Sequence, residues 1–316
     1  MRVISSAEID RVLTFPALVD ALSEAFRADM VTPVRHHHEI ERPGAHGTLL
    51  LMPSWTGPAT TTDAFVGVKV VSVFPENGKK NLPSVMGSYL LMNGETGEPV
   101  AVLDGTRLTV WRTAAASALA ARHLARADAS RMVMVGAGAL APFLIRAHMS
   151  QRPIREVSLW NHRPEKAEEV AAQLRGEGLP VSAVTDLEAT VRAADLVSCA
   201  TLSTAPIVKG AWLKEGAHLD LVGAFNLKMR EADDEALRRG QVYIDTEAAK
   251  TEGGDVAVSI QSGGIAESHV RGTLFDLCRN PPQRSDKAVT VFKSVGTALE
   301  DLAAAMLVWR SQAIPS

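Results

Sequence analysis

Three cationic side chains and one glycine-rich turn are the residues of this chain whose types and spacing suit chemistry. Lys69 interrupts the apolar run Gly67-Val68-Lys69-Val70-Val71. In a buried strand, desolvation disfavours the ammonium and brings its pKa toward a range useful for proton transfer; in an edge strand the lysine merely faces water. Arg112-Thr113, ahead of an alanine-rich helix, and Arg35, after Thr32-Pro33-Val34, each offer a guanidinium for two-pronged binding of a carboxylate, or an ordinary surface charge. The fourth feature is Gly136-Ala137-Gly138-Ala139-Leu140-Ala141, a G-x-G-x-x-A spacing directly after Met132-Val133-Met134-Val135. Such a turn lets the backbone approach a pyrophosphate and aims the N–H groups of the following helix at it, so a dinucleotide cofactor is expected; the alternative is a strand–helix turn that only needs glycine.

The end of the next strand bears on which dinucleotide. An NAD site places Asp or Glu roughly 20 residues past the glycines, to accept from the ribose hydroxyls. Here the strand ends in Trp160-Asn161-His162-Arg163, with no carboxylate until Glu165. Asn161 is neutral and Arg163 suits a 2′-phosphate, which favours NADPH and leaves NADH as the second choice. Thr201, after Cys199-Ala200, and Gly223, between Val222 and Ala224, stand at two further strand ends where ligands bind in such sheets. His36-His37-His38 is not expected to hold a metal. Consecutive strand side chains point to opposite faces, and a solvated loop or an interface is the simpler reading. Trp55 and Trp111 line a substrate pocket or simply fill core, Glu252 to Asp255 is a tight turn near the cofactor or merely a loop, and for Asp301, in the final helix, a solvated charge is an equally good reading.

These residues need positioning elements. Ser5 with Glu8 predicts a capped first helix, and Pro16 opens a second. Val66 to Phe74, Ser88 to Met92 and Val100 to Leu103, with the turn Asn93-Gly94-Glu95-Thr96-Gly97 between the last two, predict an antiparallel meander. Thr113 to Ala127 reads as a connecting helix. From Arg131 onward short apolar strands (132–135, 157–160, 181–184, 196–200, 218–222, 242–245) alternate with helices (139–149, 164–174, 187–194), the pattern of a parallel sheet covered on both faces. Ser294 to Arg310 reads as an amphipathic helix returning to the first domain.

Composition narrows the class. The 316 residues suffice for two domains, and 33 basic against 36 acidic residues, net −3, give no field suited to nucleic acid or an anionic membrane. Polar residues interrupt the first fifteen positions, so no signal peptide is expected, and no run of ~18 apolar residues predicts a membrane span. Two cysteines, Cys199 and Cys278, exclude a disulfide framework. A cytoplasmic protein is expected.

Several segments together resemble the ornithine cyclodeaminase/μ-crystallin family, over nearly the whole chain. They are Lys69 to Phe74, Asp104 to Ala115, the turn from Gly136, Val222-Gly223-Ala224 ahead of Arg230-Glu231, Tyr243 to Thr246, Gly254-Asp255, and Phe292 to Gly296. The resemblance implies an α/β protein: a Rossmann doubly wound parallel sheet, expected over 113–293, and a second α/β substrate-binding and dimerisation domain, expected over 1–112 with 294–316. It implies Lys69 as the acid/base, Arg112 with its neighbour Thr113 and Arg35 as substrate-carboxylate ligands, a dinucleotide on Gly136, Ala137, Gly138, Ala139 and Leu140, and a homodimer. One departure discriminates among members. Cyclodeaminases carry an aspartate two residues after the Val-Gly pair, where this chain has Phe225, which cannot accept a proton from an ammonium substrate. Met229 to Asp234 is closer to the pyrroline-carboxylate reductase branch. The expectation is NADPH-dependent reduction of a small cyclic imino acid, Δ1-pyrroline-2-carboxylate or Δ1-piperideine-2-carboxylate; ornithine cyclodeamination and a non-enzymatic NADPH-dependent binder are the alternatives.

Overall fold

A computed structural model describes residues 1–42, 45–60 and 63–312. The chain divides into two compact units, Met1–Thr113 with Thr297–Ser316, and Ala114–Gly296.

The first unit opens with β1 (Arg2–Ile4), α1 (Ser6–Val12) and α2 (Phe15–Arg27). Ser5 caps α1 through a reciprocal pair of bonds with Glu8, and Pro16 lies in the first turn of α2. Strands β2 (Met30–Val31), β3 (His36–Arg42), β4 (Ala45–Thr56), β5 (Phe65–Val73), β6 (Val85–Asn93) and β7 (Pro99–Asp104) follow. The sheet runs β1-β7-β6-β5-β4-β2, with β3 also paired to β4; only the β1–β7 pairing is parallel. The expected meander β5–β6–β7 is present, closed at its second turn by the Asn93 side chain, which accepts from the Glu95 and Thr96 N–H groups. The sheet is larger than the sequence reading, because β3 and β4 form a hairpin. His36, His37 and His38 therefore lie on a strand, not in a loop, all exposed.

Alternation along β5 buries Phe65, Gly67, Lys69 and Val71 on one face. The C-terminal helix, Ala298–Gln312, packs against β4, β5, β6 and α2. It begins at Ala298 and not at the expected Ser294, since Gly296 takes φ +80° and the Val295 and Gly296 N–H groups donate to Asp245 Oδ2. Helix α3 (Gly105–Leu124) starts directly after β7, eight residues before the predicted Thr113. Arg112 thus sits inside a helix rather than ahead of one.

The second unit holds β8 (Arg131–Val135), α4 (Ala141–Gln151), β9 (Glu156–Trp160), α5 (Pro164–Gly176), β10 (Val181–Val184), α6 (Leu187–Ala193), β11 (Leu196–Cys199) and β12 (His218–Leu221). It continues through α7 (Asp234–Arg239), β13 (Gln241–Ile244), α8 (Gly254–Gln261), β14 (Val270–Thr273), α9 (Leu274–Arg279) and β15 (Thr290–Lys293). Its eight strands are all parallel, in the order β10-β9-β8-β11-β12-β15-β13-β14. The first five places follow the doubly wound Rossmann order, with the switch point between β8 and β11. Strands β11, β12 and β15 are buried along their whole length, as expected where both faces of a parallel sheet are covered. Among the described residues no helix is long and apolar enough to cross a membrane.

Candidate active site

Lys69 lies in a central strand with 2% of its surface exposed, which removes the edge-strand reading. Its Nζ is 2.7 Å from Asp301 Oδ2 and donates a longer bond, 3.4 Å, to Thr109 Oγ1. Arg112 comes to the same place from α3: its Nε donates to Asp301 Oδ1 at 3.0 Å and Nη1 to Glu300 Oε2 at 2.6 Å. Two cations and two carboxylates, all buried, thus share one interior site. Such a cluster tolerates burial because every charge has an opposite partner at contact distance. Burial pushes the Lys69 ammonium down to about 8, helped by the positive charges of Arg112 and Arg35 and opposed by Asp301. Arg35, half-buried, therefore stands close enough to act on Lys69. Thr113 is half-buried beside Arg112 on α3.

The sequence reading missed Glu300 and Thr109, and for Asp301 it held a solvated helix charge to be an equally good reading. Asp301 is fully buried and joins Lys69 to Arg112. A signal existed: Glu300 and Asp301 interrupt Ala298-Leu299 and Leu302-Ala303-Ala304-Ala305. A helix apolar on every side is buried, so acids within it require partners. Tyr89, opposite Lys69 on β6, was also unremarked. Gly67 makes room for it, since a β-carbon at Gly67 would lie 1.9 Å from the Tyr89 hydroxyl oxygen. Trp111 packs on Phe15 and donates to Asp10, and so belongs to the joint between α3 and the N-terminal helices.

In the second unit the G-x-G-x-x-A turn joins β8 to α4, and each small residue has its own reason. Gly136 has φ +107°, and a β-carbon there would meet Ala200 O at 2.5 Å. A β-carbon on Gly138 meets nothing within 4 Å among the described residues, so this turn leaves room for a ligand against the backbone. Ala141 is fully buried at the start of α4. Ala137 is buried, whereas Ala139 and Leu140 are the turn residues before the helix. These features fit a dinucleotide pyrophosphate at the N-terminus of an eleven-residue helix. At the end of β9, Asn161 Nδ2 donates to Arg163 O, and His162 and Arg163 are exposed.

Thr201 and Gly223, at the ends of β11 and β12, are joined through a residue the sequence reading gave no role. Glu231 Oε1 accepts from the Thr201 N–H and hydroxyl, at 2.6 and 2.9 Å, and Oε2 accepts from the Gly223 N–H at 2.7 Å. Asp255 is neither turn nor loop: it lies buried in the first turn of α8, accepts from the Glu231 and Ala232 N–H groups, and faces Lys293 at 3.4 Å. Burial pushes the Glu231 carboxyl up to about 7, with Lys293 pulling it down and Asp255 adding to the rise.

Comparison with known proteins places the chain. The family model described as "Ornithine cyclodeaminase/mu-crystallin family" matches residues 1–313. A Delta(1)-pyrroline-2-carboxylate reductase of Paracoccus denitrificans is 36% identical over 303 residues, covering 93% of this chain and 95% of the relative. Among solved structures, the Delta(1)-pyrroline-2-carboxylate reductase of Thermococcus litoralis in complex with NADH and L-proline superposes with a TM-score of 0.91, at 31% identity, over 98% of this chain and 97% of the other. An archaeal alanine dehydrogenase dimer with bound NAD gives 0.90 at 29% identity, over 100% and 98%.

Proposed function

The chain belongs to the ornithine cyclodeaminase/mu-crystallin family, and on that premise we propose that it reduces cyclic ketimine carboxylates, Δ1-pyrroline-2-carboxylate or Δ1-piperideine-2-carboxylate, to L-proline or L-pipecolate, with NADPH preferred over NADH. The observation that carries this reading is the buried Lys69 ammonium, pushed down to about 8 and held by Asp301.

Reduction of a C=N bond needs a hydride at carbon and a proton at nitrogen. The reduced nicotinamide supplies the hydride when bound. Lys69 in its ammonium form delivers the proton to the ring nitrogen, and a donor titrating near neutrality suits that transfer. Asp301 and Thr109 hold Nζ in one place. Arg112, oriented by Glu300 and Asp301, binds the substrate carboxylate together with Arg35, and Thr113 follows on the same helix. Fixing the carboxylate orients the imine, so positioning supplies much of the acceleration. Phe225, at the place where cyclodeaminases carry an aspartate, is half-exposed and apolar, and it offers an amine substrate no base.

The cofactor is held by the turn Gly136 to Leu140, with the adenosine end at Asn161, His162 and Arg163. NADPH consumption by pyrroline-2-carboxylate is the expected result of an absorbance assay at the nicotinamide band. Ammonia release from ornithine would instead favour cyclodeamination, and neither reaction would favour a non-enzymatic binder. Arg163→Ala is expected to raise KM for NADPH about ten-fold and leave that for NADH within about two-fold, the loss of one charge-assisted contact. Equal effects on both cofactors would remove Arg163 from 2′-phosphate recognition.

The active form is a homodimer built on the first unit. Val3, Val70, Val85 and Met86 expose apolar surface on that unit, and Val3, Val70 and Met86 line, with Val102, a cavity of about 530 Å³. Exposed apolar patches of this kind mark association surfaces. Light scattering is expected to give twice the mass of one chain, and Val70→Glu with Met86→Glu to give one.

A further inference from the structure

The reductase chemistry leaves a buried cluster in the second unit without a role. Glu231, Asp255 and Lys293 all have no exposed surface. Glu231 is placed where three strand-end turns meet. A β-carbon on Gly136 would lie 3.1 Å from Thr201 Cγ2, and one on Gly223 would lie 2.1 Å from Thr201 O, so the turns after β8, β11 and β12 touch in sequence. The Glu231 carboxylate then ties the second to the third: one oxygen takes two donors from Thr201, the other the N–H groups of Gly223 and, at 3.3 Å, Ala224. Asp255 fixes the Glu231 backbone from behind, and Lys293 faces Asp255 at 3.4 Å.

A carboxylate is what this junction requires. Four N–H and O–H donors converge on two oxygens, and an amide would turn its own donors toward one of the two loops, leaving N–H groups without acceptors. The order β10-β9-β8-β11-β12 assigns the two nucleotide halves to the two sides of the switch point. With the adenosine half at the end of β9, the other half falls over the turns after β11 and β12, the two that Glu231 joins.

We propose that Glu231 is the positioning residue for the nicotinamide half of the dinucleotide, holding Thr201 and Gly223 as one rigid floor. This rests on the proposed nicotinamide-dependent reduction. It predicts a split that general loss of structure would not produce. Titrated by calorimetry, Glu231→Gln is expected to bind NADPH about ten- to hundred-fold more weakly, the loss of hydrogen bonds to a charged group. Binding of 2′-phospho-ADP-ribose, which lacks the nicotinamide, is expected to stay within about two-fold. Thr201→Val keeps the backbone N–H but loses the hydroxyl; it should show the same selectivity at about five-fold, and it decides the matter if Glu231→Gln does not fold. Equal weakening of both ligands, or undiminished NADPH binding by folded variants, overturns the inference. A wild-type protein that binds no dinucleotide overturns the underlying reductase reading instead.

Discussion

Replacing Lys69 with methionine is expected to lower kcat for ketimine reduction by about 10²- to 10⁴-fold, the usual size of a positioned acid's contribution, with NADPH affinity within about two-fold of wild type. Methionine preserves the apolar stem and removes the proton donor together with its bonds to Asp301 and Thr109. The ammonium form is the active one, so the wild-type rate should fall as pH rises through about 8, and the residual rate of the variant should be flat there. The sign for stability is separate. The folded pKa is depressed from 10.5 to about 8, so the folded protein binds fewer protons than the unfolded chain across that window, and stability rises with pH within it. Below about pH 8 holding the ammonium is therefore a cost to the fold, whereas its removal leaves the buried Asp301 short of one partner, so kcat and not the melting temperature reads the role of Lys69. An unchanged kcat would take Lys69 out of the reaction.

Asp301→Asn should act on both the chemistry and the fold. Asp301 holds Lys69 Nζ through one oxygen and Arg112 Nε through the other, and it works to raise the lysine pKa. Without its charge the ammonium is less favoured, so the alkaline limb of the rate profile should move to lower pH. Arg112 loses the carboxylate that accepts from its Nε, and a buried cation short of a charged partner is expensive. Loss of one partner from such a site costs about 3–5 kcal/mol. Urea unfolding measures the second effect and a pH–rate profile the first. A profile that stays in place while stability falls would make Asp301 a purely structural residue.

What the sequence determined by itself was local. Ser5 and Glu8 cap α1 because three residues' separation suffices, and the turn Gly136 to Ala141 carries its backbone requirement within six consecutive positions. The β-branched apolar run of β5 and the strand–helix rhythm after Arg131 marked the meander and the parallel sheet for the same reason, since both signals are written into neighbouring residues. The lysine in a greasy strand and the two arginines were visible as types, though not as a cluster. Tertiary structure alone decided that Arg112 meets Asp301 across 189 positions of sequence, and that Glu231 reaches back 30 residues to Thr201. A charge leaves no periodic trace of its partner. Whether Asp301 faces water or Lys69 is set by which face the C-terminal helix lays on β5, and the pairing energy exists only once that docking has excluded water.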